Sequence, residues 1–173
     1  MKMKKHVLNW IVFAAVVAAA IVVDQVTKLC FEGWEKSLIG NFLWISSVHN
    51  EGAAFGMMAG ARWWFVGLAV PVSAAILYVV FAKKVSNSCT FVVSLALILG
   101  GILGNLIDRI FFAYVRDFVD FRFSGFAIFN MADSFLCVGC AVLVVWLLVE
   151  SFGGSKRTSG TEDEGKEKTE EEK

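Results

Sequence analysis

Four long apolar stretches divide the chain, at about 7–28, 63–82, 91–109 and 131–150. Each approaches the ~20 residues that cross a bilayer as a helix. The first follows the basic segment Met1–His6, and Val7–Val23 holds only Asn9 as a polar residue. A run of 17 residues is long for a signal-peptide core, and Ala18-Ala-Ala20 leads into Ile-Val-Val rather than a polar start. A retained membrane helix is therefore predicted rather than a cleaved signal. Pro71 predicts a kink in the second stretch, and Gly100 and Gly104 give the third a small-residue face for close helix packing. Within the connection 33–60, the β-branched and aromatic run Phe42–Val48 predicts a short strand. The glycines and small residues of Asn50-Glu-Gly-Ala-Ala-Phe-Gly56 allow close backbone approach. Residues 1–152 form one membrane domain, and the Ser-, Gly-, Lys- and Glu-rich segment 153–173 is expected to be disordered.

Basic residues orient the spans. Lys2, Lys4 and Lys5, then Lys83 and Lys84, then Lys156 and Arg157 alternate in step with four crossings. The positive-inside rule puts both termini and the 83–90 turn in the cytoplasm. The fold class is then an all-α membrane protein: four transmembrane helices with a small extracytoplasmic β element and a disordered C-terminal tail. Lys28, Lys36, Arg62, Arg109, Arg116 and Arg122 fall on the outer side and require another role, such as pairing with acids or with substrate. The same topology brings Asp24, Asp108, Asp117, Asp120 and Asp133 to one depth, the outer membrane surface. Ionisable groups at such a place are costly and read first as functional.

Composition sharpens this picture. The 173 residues are 57% apolar, with mean hydropathy +0.66, above the about half expected of a soluble domain. Trp34, Trp44, Trp63 and Trp64 suit an aromatic belt. Zero formal net charge argues against a nucleic-acid partner. The tail from Gly153 holds seven of the 16 acidic residues, so the membrane domain itself is slightly basic. Cys30, Cys89, Cys137 and Cys140 have no disulfide-framework spacing. Cys137-Val-Gly-Cys140 sits in an apolar run without a second ligand pair, which argues against metal or redox use. His6 and His49 are the only histidines, so a histidine metal centre and a serine triad both lack their base. Metalloprotease, P-loop and serine-hydrolase signatures are absent, as are the D-[ST]-G and G-x-G-D patterns of other aspartic peptidases.

Carboxylate, amide and arginine remain in quantity between Gly104 and Ser134. Each signal has a plainer alternative. Asn130-Met-Ala-Asp133 resembles a capping box, an N-cap residue with an acid three positions on. Asn105, Asp108 and Arg109 could be a polar patch closing a helix. Asp117 and Asp120, in a short loop, could be solvated charges. Asp24 could serve only a salt bridge to Lys28, four residues on. Two carboxylates held close share one proton, so one can act as base toward water and the other as acid toward a carbonyl. A proton-coupled transporter would also place acids in a membrane, though commonly near the midplane between repeats, and no repeat is visible. A non-catalytic membrane scaffold, with the acids as caps and salt bridges, is the third alternative.

Five blocks in order resemble the lipoprotein signal peptidase (signal peptidase II) family: Asp24-Gln-Val-Thr-Lys28, Asn50-Glu-Gly-Ala-Ala-Phe-Gly56, Gly104-Asn-Leu-Ile-Asp-Arg109, Val115-Arg-Asp-Phe-Val-Asp-Phe121 and Phe129-Asn-Met-Ala-Asp-Ser134. The resemblance covers residues 7–150. It implies a four-helix aspartyl endopeptidase of the bacterial cytoplasmic (inner) membrane, active at the extracytoplasmic face. Such an enzyme removes the signal peptide from diacylglyceryl-modified prolipoproteins, cutting before the lipid-modified cysteine. Matched by motif, the catalytic pair is Asp117 and Asp133. Asn50, Asn105, Arg109 and Asn130 match residues that line the site and position substrate, and Asp24 and Asp108 match supporting positions. The resemblance further implies no metal or other cofactor, a monomer, contact with membrane lipids, inhibition by globomycin-type compounds, and a mobile segment within 33–60 over the site. Arg116 stands where an apolar residue is expected, and it is expected to face lipid headgroups. Phe126-Ala-Ile replaces a segment that often carries Trp-Pro.

Overall fold

The computed structural model describes residues 2–52, 57–58, 60–81, 88–123 and 125–170, with side chains from His6 to Phe152. The elements run α1 (Lys2–Cys30), β1 (Glu35–Ile39), β2 (Leu43–Asn50), α2 (Arg62–Phe81), α3 (Cys89–Phe112), β3 (Val115–Asp120) and α4 (Met131–Glu170). Four stretches are long and apolar enough to cross a membrane: His6–Cys30, Arg62–Phe81, Cys89–Phe112 and Met131–Phe152. They match the expected spans to within a few residues at each end. α2 continues through Pro71. α4 runs as helical backbone beyond its membrane-spanning part. The expected cytoplasmic turn falls largely outside the described residues, as do positions 53–56 of the Asn50–Gly56 block.

α3 is the central helix. Of its most apolar window, 44% is buried, against 11% or less for the other three. Its core residues Val92, Leu95, Ala96, Ile98 and Leu99 pack with Phe13 of α1 and Ile76 of α2. Lipid takes the place of solvent around the remaining apolar surface, so burial inside the protein need not be extensive. The Gly100–Gly104 face does what its spacing implies. A Cβ added at Gly100 would lie 2.6 Å from the Ala20 Cβ, and one at Gly104 would lie 2.6 Å from Asp24 Oδ2. The close approach of α1 to α3 therefore depends on these two glycines.

The small β element is a three-stranded antiparallel sheet in the order β1-β2-β3. β2 fulfils the strand expectation for Phe42–Val48. β3 corrects another: Asp117 and Asp120 lie not in a loop but in a strand, which pairs Trp44 with Asp120 and Val48 with Asp117. Its alternation gives no strand signal because both faces carry charge, Arg116 and Asp120 on one and Asp117 on the other. A left-handed Ala113 (φ 72°) ends α3 and turns the chain into β3. Beyond β3, Phe129 bridges back to Val119 through paired backbone hydrogen bonds of 2.8 and 3.1 Å. That bridge sets the start of α4 beside Asp117.

Candidate active site

Strand geometry sorts the two acids of β3. Successive side chains point to opposite faces, so Asp117 and Asp120, three apart, face opposite ways. Asp120 accepts from Ser46 Oγ and from Arg122 Nε, each at 3.0 Å. Arg122 also pairs with Glu35 and lies over the Trp44 ring. Asp120 is therefore a staple of the sheet, not a solvated charge. The Asp117 side chain turns toward Asn50 and Asn130. Its Oδ2 accepts from Asn50 Nδ2 at 2.9 Å, and its Oδ1 from Asn130 Nδ2 at 2.6 Å. Asn50 in turn accepts from the Gly52 backbone N–H at 3.0 Å.

Asp133 sits in the first turn of α4. The capping box is real and reciprocal: Asn130 Oδ1 accepts from the Asp133 N–H at 3.0 Å, and Asp133 Oδ2 from the Asn130 N–H at 3.2 Å. Its other oxygen, Oδ1, accepts from Asn105 Nδ2 at 2.7 Å. Capping thus coexists with a place in the cluster. Fully buried Asn130 touches both carboxylates, and its Nδ2 also donates to Asn105 Oδ1 at 3.0 Å. The next orphan donor of α4, the Ala132 N–H, is satisfied across the bundle by Asp24 Oδ1 at 2.9 Å.

Asp24 and Asp108 lie beneath this layer, both fully buried. Lys28 Nζ bridges them, 2.8 Å from Asp24 and 3.2 Å from Asp108. The expected Asp24–Lys28 pair therefore forms within a larger network. Arg116 completes it, correcting the expectation that it faces headgroups. It is 6% exposed, and its guanidinium donates to Asp108 Oδ1 and to Gln25 Oε1, each at 2.8 Å. Its backbone N–H also donates to Asp108 at 3.0 Å, pinning the turn from α3 to β3. Two acids and two bases cancel in charge, and a buried charge is tolerated when paired in this way. Among the candidate residues, Asp24 and Asp108 brace the cluster from behind. Arg109 reaches its edge: Nη2 donates to the Gly52 carbonyl at 3.2 Å, with the guanidinium over the Phe65 ring.

A cavity of about 610 Å³ opens at the two carboxylates. Asn50, Asn105, Arg109, Asp117 and Asp133 form its polar end. Phe126–Phe129 and Leu136–Val138 supply apolar walls, with the free thiol of Cys137 among them. Burial pushes the Asp117 carboxyl up to about 6, and the nearby Asp133 charge adds to the rise, while the Asn50 and Asn130 amides and the Lys28 charge oppose it. The carboxyl therefore changes protonation near neutral pH, where acid–base chemistry is most effective. Among the described residues, no three His, Cys, Asp or Glu side chains are grouped to hold a metal ion. Lys28, expected to pair with acids, and Gln25, not singled out in the sequence, both join the network behind the site. Their signal was a lysine and an amide at the end of an apolar helix, one turn or less from Asp24.

Fold and site together define a four-helix membrane protein with a buried carboxylate cluster opening onto an apolar cavity. The family model described as Signal peptidase (SPase) II matches residues 16–149. A lipoprotein signal peptidase of Ralstonia nicotianae is 40% identical over 135 residues, covering 72% of this chain and 77% of that protein. Another, of Halothermothrix orenii, is 39% identical over 137 residues, covering 76% and 92%. Two solved structures of a bacterial membrane enzyme superpose with TM-scores of 0.74 and 0.71 at 32% and 31% identity, covering 80% and 79% of this chain and 88% and 92% of theirs. The chain belongs to the signal peptidase II family, aspartic peptidases that cleave the signal peptides of prolipoproteins.

Proposed function

We propose that Asp117 and Asp133 are the catalytic pair of this peptidase, acting on diacylglyceryl-modified prolipoproteins at the outer face of the bacterial inner membrane. The observation that carries this reading is Asn130, which hydrogen-bonds to both carboxylates at the polar end of the cavity. One carboxylate takes a proton from water, and the oxygen attacks the scissile carbonyl carbon. The other, protonated, gives its proton to the carbonyl oxygen, and a gem-diol forms. Collapse of the gem-diol breaks the C–N bond as the carboxyl that took the water proton passes it to the leaving nitrogen, while the other carboxylate takes a proton back from a gem-diol hydroxyl. The pair returns to its one-proton state. Such a pair titrates as a unit. Asn50, Asn105 and Asn130 hold the carboxylates in place, and Arg109 orders the chain at Gly52. The apolar walls suit a substrate whose acyl chains stay in the bilayer.

The positive-inside pattern supports cytoplasmic termini, with the sheet and site on the far side. The outer-side bases, left over by that rule, mostly have partners: Lys28 and Arg116 in the buried network, Arg122 on Asp120, and Arg62 on the Ile110 carbonyl at 2.5 Å. The test is incubation of the purified protein with a diacylglyceryl-modified prolipoprotein, followed by its size shift. Wild type and Asp120→Asn are expected to cleave, whereas Asp117→Asn and Asp133→Asn are not. No cleavage of the lipid-modified substrate by wild type would remove the proposed specificity.

A further inference from the structure

We propose that Lys28 is a positioning residue for Asp133, acting through the side-chain amide of Asn105. The proposal rests on the reading of Asp117 and Asp133 as the catalytic pair. Lys28 is 1% exposed and does not line the cavity, whereas Asn105 does. Its Nζ donates to Asn105 Oδ1 at 3.0 Å, and Asn130 Nδ2 donates to the same oxygen at 3.0 Å. An ammonium has donors and no acceptor, so only the oxygen of an amide can face it. Two donors converging on Oδ1 therefore fix which way the amide points. Nδ2 is left facing Asp133 Oδ1 at 2.7 Å. A flipped amide would set N–H groups against the ammonium and bring its oxygen against a carboxylate. Lys28 thereby guarantees that Asp133 always meets a donor at Oδ1.

The Lys28 charge is balanced where it lies. Asp24 and Asp108 flank it, and Arg116 balances the second acid. Its influence on the cavity is therefore directional, through one amide, more than a general positive field. α1 thus has a stake in catalysis although it contributes no side chain to the cavity wall.

The test is a double-mutant cycle on the full-length protein with a diacylglyceryl-modified prolipoprotein, reading kcat and KM separately. Lys28→Met and Asn105→Ala are each expected to lower kcat by about 10-fold or more, the rate equivalent of one hydrogen bond to a charged group, with KM within about twofold. Because Lys28 acts through Asn105, Lys28→Met combined with Asn105→Ala is expected to be no slower than Asn105→Ala alone. Should Lys28→Met not fold, Lys28→Met with Asp24→Asn keeps the charge balance and an acceptor for the Ala132 N–H, and the cycle is run in that background. Losses that multiply, or a raised KM with unchanged kcat, would overturn the proposal. Asp117→Asn is assayed alongside: a rate within about tenfold of wild type there refutes the catalytic pair itself, a result separate from the Lys28–Asn105 cycle.

Discussion

Replacing Asn50 with alanine removes one of the two amide donors that favour the ionised form of Asp117. The carboxyl stands at about 6 because burial and the Asp133 charge outweigh Asn50, Asn130 and Lys28. A hydrogen bond to a charged group contributes about 1.5–3 kcal/mol, equivalent to about 1–2 pKa units. The protonated acid retains part of that bond, so an upward shift of about 1 unit is expected, from about 6 toward ~7. The sign holds for either catalytic role. If Asp117 is the base, activity falls as pH drops through its pKa, and the variant loses activity at a higher pH. If Asp117 is the acid, activity falls as pH rises through its pKa, and the variant holds on to a higher pH. In both cases the limb near pH 6 moves upward. The assay is kcat/KM against pH with a diacylglyceryl-modified prolipoprotein, which reports the free enzyme. A limb that stays put or moves downward would refute the assignment of that titration to Asp117.

Gly104→Ala drives a methyl to 2.6 Å from Asp24 Oδ2 and 3.0 Å from the Ala132 Cβ. A loss of about 1–3 kcal/mol is expected from overpacking a tight contact, read as a lowered thermal midpoint in detergent. Arg116→Met leaves Asp108 buried with Lys28 as its remaining cation. Breaking a buried pair on one side costs about 3–5 kcal/mol, so this variant is expected to unfold earlier than Gly104→Ala in the same assay. Removal of the segment after Gly153 is expected to leave cleavage at the wild-type rate; a slowed rate would give the tail a part in the reaction.

The spans and the convergence of Asp24, Asp108, Asp117 and Asp133 were legible because bilayer crossing imposes length and apolarity on local sequence. The capping box at Asn130 was legible for the same reason, being local. β3 was not. Its residues Val115–Asp120 bury both faces, and the charges on each face find partners far along the chain. Asp108 pairs with Lys28 across about 80 residues of sequence, and Asn50 reaches Asp117 across 67. Nothing local announces such a pair. Arg116 illustrates the cost: alone it reads as a headgroup contact, and only Asp108 explains its burial. Had β3 been read as a strand, the parity of Asp117 and Asp120 would have separated them without any family comparison. The proposed catalytic pair was singled out by resemblance, since spacing alone left several carboxylates equivalent.

The most direct test of the catalytic pair is single-turnover cleavage by Asp117→Asn and by Asp133→Asn, each shown to be folded by its thermal midpoint. Loss of a positioned acid or base costs about 10²–10⁴-fold, and each variant is predicted to fall by at least that much against wild type. A rate within about tenfold of wild type in either variant would contradict the assignment.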